Sequence, residues 1–167
     1  GNDFMLSGLG RGVNAVGFRP YGQDVIDRFV QRFAERGGVP GKKMLKMRIF
    51  DALNNIPNVF CMISAAIRNN AKARIADANN SIPENKRDEN WQAMAPVNLI
   101  HIEAALCYQP EREYDNETLY SDLYYVEYAK KLIVTAEKEG GELDSLVIKD
   151  MAGQLDPVRA ARLIPKL

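Results

Sequence analysis

The chain has 167 residues, of which 46% are hydrophobic, and this is enough for one domain with a sizeable core. Lysine plus arginine and aspartate plus glutamate each number 22, so no net charge draws the chain toward nucleic acid or an anionic membrane. No stretch approaches the ~18 consecutive apolar residues of a membrane span, and the first twenty residues lack the layout of a signal peptide. Cys61 and Cys107 stand far apart without CxxC spacing, so we expect two unreactive core thiols.

Strand and helix patterns alternate in the first half of the chain. Residues 2–12 are predicted to hold a short strand before a Gly-rich loop. In residues 24–36, apolar side chains recur at three- and four-residue steps, which predicts an amphipathic helix. The apolar stretch 44–50 is followed at once by turn formers and predicts a buried strand. Pro57 suits the first turn of a helix, and the helical pattern continues to about Asn69.

The same alternation continues in the second half. Residues 76–90 are polar without either period and predict an exposed loop or insertion. Residues 97–108 predict the next strand, and residues 143–148 the one after it. Between them, residues 117–139 predict a long helix. The apolar residues expected on its inner side are Leu119, Leu123, Val126, Leu132 and Ile133.

The order of these elements indicates the fold class. Asp156 and Pro157 form an N-cap and first-turn pair that opens a last helix, which completes four strand-helix units. Strict alternation with apolar strands predicts an α/β fold with a parallel sheet, either doubly wound or part of a (β/α)8 barrel. A polar or Gly-bearing cluster follows each predicted strand, and in a barrel these clusters lie at the face that carries the active site.

Lys149 is the first candidate for chemistry, because it stands where an apolar strand ends. A lysine that loses hydration has a more accessible neutral amine, which can form a Schiff base, act as a base or add carbon dioxide to become a carbamate. A carbamate is a hard oxygen ligand for a divalent metal. The alternative is a lysine that extends toward solvent and pairs with Asp150.

Three motifs, in this order, resemble a known family. The chain reads RGVNAVGFRPY at residues 11–21, RIFDALN at residues 48–54 and IKDMAG at residues 148–153, each at the end of a predicted strand. These motifs resemble the carboxyltransferase domain of biotin-dependent enzymes: pyruvate carboxylase, the oxaloacetate decarboxylase alpha subunit and the transcarboxylase subunit that uses pyruvate. The likeness covers most of the chain outside the polar segment.

The resemblance implies a (β/α)8 barrel that moves a carboxyl group between carboxybiotin and pyruvate or oxaloacetate. In this family the lysine of IKDMAG is carbamylated and binds Zn or Mn, which makes Lys149 a metal ligand. The arginine of the RGxN motif holds the pyruvate carboxylate or enolate, which makes Arg11 a catalytic and substrate-binding residue. Asp51 is a further catalytic candidate, and Phe18 and Met151 are further substrate-binding candidates.

Several residues keep a second interpretation. Asp51 either orients groups in the site or caps the helix that follows it. Asn14 is expected to support the Gly-rich turn, and Arg48 to form a buried ion pair. His101 lies between two isoleucines, where a packed, hydrogen-bonded imidazole is more common than a metal ligand. Phe18 stands where the family usually has tyrosine, so a hydroxyl expected near the substrate is missing.

The rest of the family's machinery is not in this sequence. The family's metal site also uses an aspartate and two histidines spaced as His-x-His, whereas the chain has one histidine. A biotin-bearing Met-Lys-Met sequence is absent as well, so biotin is expected on another segment or subunit. A full barrel takes about 250 residues. We therefore expect residues 1–167 to form half of a (β/α)8 TIM barrel with a polar insertion around residues 76–96, inactive alone and covered by other polypeptide.

Three hypotheses follow. The chain is part of a longer, active carboxyltransferase of the pyruvate carboxylase type, in the cytoplasm or mitochondrial matrix and within a homo-oligomer. Alternatively, it is an inactive half-barrel retained as a structural subunit of a larger assembly. In the third, a partner chain supplies the missing ligands. A decarboxylase or transcarboxylase role stays open as well, and no nucleic acid or membrane partner is expected.

Overall fold

A four-stranded parallel sheet forms the centre of the molecule. The computed structural model describes residues 5–14, 17, 19–35 and 45–167. Strand order within the sheet is β1-β2-β3-β6, and every neighbouring pair is parallel. A small separate hairpin pairs β4 with β5. The strands are β1 (Leu6–Gly10), β2 (Leu45–Ile49), β3 (Ile100–Cys107), β4 (Arg112–Tyr114), β5 (Glu117–Leu119) and β6 (Ser145–Lys149).

Helices connect the strands of the sheet, as the alternating pattern predicts. Ser121 caps α3 through its Oγ, which accepts a hydrogen bond from Tyr124 N at 3.2 Å. Asp156 caps α4 in the same way, since its Oδ1 accepts from Arg159 N at 2.9 Å and confirms the predicted N-cap. The helices are α1 (Gln23–Glu35), α2 (Ile56–Asn80), α3 (Asp122–Lys138) and α4 (Pro157–Leu163). None of the described helices has the length and apolar character that crossing a bilayer requires.

All four helices bury apolar side chains against one face of the sheet. Alternate residues of the strands, such as Met47, Ile102 and Leu106, belong to one core cluster with residues of α1, α2, α3 and α4. The strand order follows the chain order without the reversal that defines a doubly wound sheet. The fold is therefore α/β with a singly wound parallel sheet, and this favours the barrel alternative over the doubly wound one.

The other face of the sheet carries polar side chains. Glu103 on β3 is buried and accepts hydrogen bonds from Lys46 Nζ at 3.1 Å and from Arg48 Nε, both on β2. This confirms the predicted ion pair of Arg48. Burial alone would raise the pKa of Glu103, but the bonds from Arg48 and Lys46 outweigh that effect and hold the pKa below its ordinary value. The carboxylate is therefore ionised, as a buried charge with two cationic partners should be.

Two predicted helix limits are wrong. Helix α2 continues to Asn80 instead of ending near Asn69, because two asparagines on it bond to other backbone rather than to their own helix. Asn70 Nδ2 donates to Ile100 O and its Oδ1 accepts from Ile100 N, each at 2.8 Å, and Asn69 Nδ2 donates to Asn98 O at 2.9 Å. Residues 76–80 of the predicted loop are thus helical.

The long helix α3 starts at Asp122 rather than near residue 117, because Glu117–Leu119 is a hairpin strand. Asp115 and Asn116 form its turn with φ values of 49° and 64°, a left-handed conformation that Asp and Asn tolerate well. The inner side of α3 also differs from the prediction: Leu123 is 67% exposed, while Tyr125 is 1% exposed. The hydroxyl of Tyr125 bonds both backbone groups of Gln109, which lets a tyrosine replace an aliphatic core residue.

Candidate active site

The candidate residues lie at the carboxyl edge of the sheet. Arg11 directly follows β1, Asp51 lies two residues beyond β2, and Lys149 is the last residue of β6. Parallel strands all end at this edge, which is where α/β sheets bind their ligands. The fold therefore brings three of the predicted site residues to one side of the molecule.

Arg11 and Lys149 meet at the ring of Phe50. The Arg11 guanidinium carbon and the Lys149 Nζ each lie 5.0 Å from the centroid of that ring. Both distances fall within the range of a favourable cation–π contact. Phe50 is not among the site residues predicted from the sequence, although it stands inside the RIFDALN motif.

Glycine at position 12 fixes the loop that carries Arg11. A Cβ at Gly12 would lie 2.1 Å from Asn58 O and 2.4 Å from Cys61 Sγ, both on α2. Only glycine allows so close an approach of the loop to the helix. Asn14 Oδ1 accepts a hydrogen bond from Gly17 N at 3.2 Å, which confirms the predicted support of this turn.

Lys149 is half-buried. It does not form the ion pair with Asp150 that was its alternative interpretation. The Asp150 carboxylate instead accepts hydrogen bonds from Leu155 N at 2.8 Å and Gln154 N at 3.0 Å. These two backbone donors hold the pKa of Asp150 below its ordinary value. Within the described part of the chain, neither Lys149 nor Arg11 has a carboxylate at ion-pair distance.

Cys107 lies opposite Lys149 in the register of β3 and β6. Its thiol is fully buried, and burial raises its pKa to about 11, although the nearby Lys149 charge acts in the opposite direction. Burial also raises the pKa of the Cys61 thiol, which donates to Asn58 O at 3.1 Å. Both cysteines are free and disfavour the thiolate form, in agreement with the prediction of unreactive core thiols.

Asp51 is buried and shapes the loop between β2 and α2. Its Oδ1 accepts hydrogen bonds from Leu53 N at 2.9 Å and Asn55 N at 3.1 Å, and its Oδ2 accepts from Asn58 Nδ2 at 3.0 Å. These bonds favour the structural one of its two interpretations, since three donors of the loop and of the first turn of α2 occupy its oxygens. The predicted catalytic role of Asp51 stays a prediction.

Asn54 is a residue that sequence reasoning missed. Its Nδ2 donates to Cys107 O and its Oδ1 accepts from Cys107 N, both at 2.8 Å. The side chain thus bonds the end of β3 as a neighbouring strand would. Asn54 has a φ of 53°, and asparagine is the non-glycine residue most at ease there. Asn54 is the last residue of the RIFDALN motif, and this position was the feature of the sequence that could have drawn attention to it.

The remaining candidates have no described contact with this cluster or fall outside the described residues. Met151 is 48% exposed, and its predicted substrate-binding role stays a prediction. Phe18 falls outside the described residues. His101 is half-buried and its Nε2 lies 2.8 Å from Ser145 Oγ, which confirms the predicted hydrogen-bonded imidazole.

The described residues do not form a metal site by themselves. They include no group of three or more His, Cys, Asp or Glu side chains that could hold an ion. Asp51 is committed to its loop, and His101 bonds Ser145 on β6. A metal bound through Lys149 would therefore need its other ligands from outside the described part of the chain.

Comparisons with known proteins show which proteins this chain is similar to. No family model matches the chain. It is 31% identical to a pyruvate carboxylase subunit of Methanocaldococcus jannaschii over 97% of this chain and 20% of that protein. It is also 31% identical to the pyruvate carboxylase of Bacillus subtilis over 94% of this chain and 10% of that protein. The chain thus spans a fifth or less of the length of these relatives.

A solved structure gives the same result. The carboxyl transferase domain of Rhizobium etli pyruvate carboxylase, determined with pyruvate, superposes with a TM-score of 0.60 and 29% sequence identity. The alignment covers 98% of this chain and 21% of that one. The similarity therefore extends over nearly the whole chain but over a limited part of the relative.

Proposed function

The homologues of this chain are pyruvate carboxylase subunits and the carboxyltransferase domain of pyruvate carboxylase, and from this we propose that it works within a pyruvate carboxylase-type enzyme. The proposed reaction moves a carboxyl group between carboxybiotin and pyruvate, with oxaloacetate as the product. Biotin is carried on another segment or subunit.

The convergence of Arg11 and Lys149 on Phe50 carries this proposal. Two cations from the first and last strands of the sheet approach one ring, and no described carboxylate neutralises them. The guanidinium of Arg11 suits an anionic substrate, whose charge it stabilises, and the Lys149 amine, without a described carboxylate partner, is left open to react with carbon dioxide. Pyruvate enters as a carboxylate and reacts through an enolate, so it presents negative charge throughout.

Arg11 is proposed to hold the pyruvate carboxylate. Its guanidinium is exposed, always charged and able to donate two parallel hydrogen bonds to the two oxygens of a carboxylate. Phe18 and Met151 are proposed to line the substrate pocket. Asp51 contributes by holding the loop that follows Phe50 in place.

Lys149 is proposed to be carbamylated. Carbon dioxide adds to its neutral amine with release of one proton, and the product is an anionic oxygen ligand for Zn or Mn. Because the described residues do not complete such a ligand set, the remaining ligands must come from outside them. No step of the proposal therefore depends on the metal.

The chain is further proposed to be half of a (β/α)8 TIM barrel. The singly wound sheet with its helices on one face supports this proposal, as does the likeness to the carboxyltransferase domain. Strands β1 and β6 lie at the two edges of the sheet, and Leu6 and Leu9 on β1 are exposed. Such edges call for cover, which we assign to the rest of the barrel, from the same or another chain.

We also propose the domain bounds, an oligomeric state and a compartment for the chain. Residues 1–167 would form a partial carboxyltransferase domain, with the polar segment 76–96 as an insertion on its surface. Trp91 Nε1 donates to Asn79 O at 3.2 Å and fastens this segment to the end of α2. A homo-oligomer in the cytoplasm or mitochondrial matrix fits this proposal, since the relatives are subunits or parts of larger enzymes.

Lys149→Ala in the complete natural enzyme tests the proposed function. We expect pyruvate carboxylation to fall by on the order of a hundredfold or more, as when a group that stabilises developing charge is lost. Lys131→Ala, at an exposed lysine on α3, is the matched control and should keep full activity.

The intact mass of the natural polypeptide, compared with 18.7 kDa, shows whether the rest of the barrel lies in the same chain. A complete enzyme whose activity survives Lys149→Ala would refute the assignment, and one with no carboxylation at all would favour a structural subunit.

A further inference from the structure

The polar face of the sheet, opposite the helices, carries an unbalanced charge cluster below the carboxyl edge. It consists of Lys46 and Arg48 on β2 and Glu103 on β3. We propose that this face is covered by a strand that pairs with the outer edge of β1, and that this strand presents one aspartate or glutamate to Arg48. That a strand of the barrel covers the face rests on the proposed function. The need for a carboxylate rests on the charges of the cluster.

Two cations share one carboxylate in this cluster. Lys46 Nζ donates to Glu103 Oε2 at 3.1 Å, and Arg48 Nε donates to Glu103 Oε1. Ser145 Oγ also donates to Glu103 Oε2, at 3.2 Å. His101 Nε2 lies 2.8 Å from Ser145 Oγ, and a neutral imidazole is sufficient for that bond. Among the described residues, the cluster therefore has one positive charge in excess.

Arg48 has hydrogen-bond donors that the described residues do not use. Its Nε bonds Glu103, whereas its two terminal Nη groups have no acceptor in the described part of the chain. The side chain of Arg48 is 35% exposed, so solvent reaches it in this structure. A strand that covers the face excludes that solvent, and a guanidinium cannot lose its proton to avoid the cost of burial. A carboxylate supplies both the missing charge and two acceptor oxygens in a geometry that matches the guanidinium.

Loss of the Lys46 proton is the other way to balance the cluster, and the geometry disfavours it. The Lys46 ammonium donates to the ionised Glu103 carboxylate, and an opposite charge at this distance favours the protonated amine. A neutral Lys46 would also leave the Nη groups of Arg48 without an acceptor. A second carboxylate meets both demands.

The outer edge of β1 is the place from which a carboxylate reaches Arg48. Strand β1 lies directly beside β2, and Leu9 is the register partner of Arg48. Leu9 is 58% exposed and brings no charge, while Glu103 already occupies the β3 side of Arg48. Strands lie about 4.8 Å apart, so a strand added beside β1 lies roughly 10 Å from β2. An arginine and a glutamate side chain together bridge such a gap.

A crystal structure of the complete natural enzyme is the first test. The expected result is an aspartate or glutamate oxygen about 2.8 Å from an Arg48 Nη atom, on a strand that pairs with β1. A guanidinium surrounded by backbone carbonyls, water or an inorganic anion alone would overturn the inference. A carboxylate that comes from any other element would overturn it as well.

Lys46→Met in the same enzyme is the second test, because its effect depends on the additional carboxylate. If that carboxylate is present, the variant leaves Arg48 alone between two carboxylates. We then expect the amides of β2 and β3 to exchange on the order of a hundredfold faster than in the wild type. If it is absent, Arg48 and Glu103 remain as a balanced pair, and unchanged exchange would refute the inference. Lys131→Met, at an exposed position on α3, is the matched control and should not alter this exchange.

A double variant sharpens the result. Replacing the carboxylate found beside Arg48 by its amide, in the Lys46→Met enzyme, should restore the charge balance and the wild-type protection of β2 and β3. Neither test depends on turnover, so a pyruvate carboxylation assay of the wild type decides the proposed function separately. An inactive enzyme with the carboxylate in place would refute that function and support this inference, and an active enzyme without the carboxylate would do the reverse.

Discussion

Two groups of cations lie at the loops and helix starts that follow the strands, and their surroundings differ. Arg159, on the first turn of α4, is 7% exposed, donates to Glu111 Oε2 at 2.8 Å and forms an ion pair with Asp122. Arg11 and Lys149 are more exposed, and their described partner is the ring of Phe50. One group is neutralised by carboxylates and the other is not.

Burial explains the difference. A buried charge must be paired, because leaving it without water or a counter-ion costs several kcal/mol. Arg159 meets this demand and joins α4 to the start of α3, so its role is structural. Arg11 and Lys149 keep enough contact with solvent to remain without a carboxylate, so neither side chain is committed to an ion pair that holds the fold. At the carboxyl edge of the sheet, pairing thus separates a cation that holds the fold from cations that have no carboxylate partner among the described residues.

The largest effect is expected from Asp122→Asn. This change leaves Arg159 buried with one counter-ion fewer. It also removes the described partner of Lys166 and one of two partners of Arg162, which keeps Glu111. We expect a loss of about 3 kcal/mol in the local stability of α4. Hydrogen exchange of the α4 amides in the natural chain measures it, since such a loss speeds exchange on the order of a hundredfold. Asp77→Asn, at an exposed position on α2, is the control, and equal exchange in both variants would contradict the structural role of the Arg159 group.

A smaller loss is expected from Asn54→Ala, because Asn54 joins the loop after Phe50 to Cys107 through neutral hydrogen bonds rather than through an ion pair. The change leaves the backbone N–H and C=O of Cys107 without their bonds to the Asn54 side chain, which costs about 2 kcal/mol. Alanine also fits poorly at a φ of 53°, so Asn54→Gly should be the less damaging variant. Exchange of the Cys107 amide measures both. Wild-type protection in both variants would show that the loop is held by other contacts.

The sequence predicts secondary-structure elements better than it predicts contacts between residues that are distant along the chain. The four strand-helix units and the N-cap Asp156 depend on local patterns, and both are present. The ion pair of Arg48 is present as well, but its partner Glu103 lies 55 positions away and was not predicted. Asn54 bonds a backbone 53 positions away, and Phe50 meets residues from two other strands. Spacing along the chain carries no information about such distant pairs.

The misplaced elements have a related cause. The sequence misplaces the end of α2 because Asn69 and Asn70 look like helix breakers until Asn98 and Ile100 are in place to receive their side chains. It misplaces the inner side of α3 because a buried tyrosine needs the backbone of Gln109 as a partner. In both cases the residue is tolerated only through a contact that the fold creates.

Lys149→Met should have almost no effect on stability in the metal-depleted protein. Lys149 has no described ion pair to lose, so we expect the protection of β6 to change by less than about 0.5 kcal/mol. The same variant should abolish carboxyl transfer in the complete enzyme. This combination, loss of activity without loss of stability, is the reverse of the result expected for Asp122→Asn. A large drop in the protection of β6 would mean that Lys149 belongs with the structural cations.

The smallest effect is expected from Asp27→Asn, which removes one partner of an ion pair that is exposed rather than buried. Asp27 Oδ1 accepts hydrogen bonds from Arg68 at 2.6 Å and from Gln23 at 2.9 Å, but the side chains of Asp27 and Arg68 are 49% and 44% exposed. Water screens such a pair, so we expect the protection of α1 to fall by less than about 0.5 kcal/mol at neutral pH.

The pH dependence should separate the same two carboxylates. Burial tends to raise the pKa of Asp27 and of Asp122, but hydrogen bonds from Arg68 and Gln23 to the first, and from Lys166 and Arg159 to the second, hold both pKa values below the ordinary 3.8. Each contribution is therefore present above pH 3.8 and is lost as the pH falls through the pKa of the folded state. Protection of α4 should fall strongly in acid and that of α1 only slightly. A loss for Asp27→Asn as large as that for Asp122→Asn would mean that pairing alone, without burial, decides which charges hold the fold.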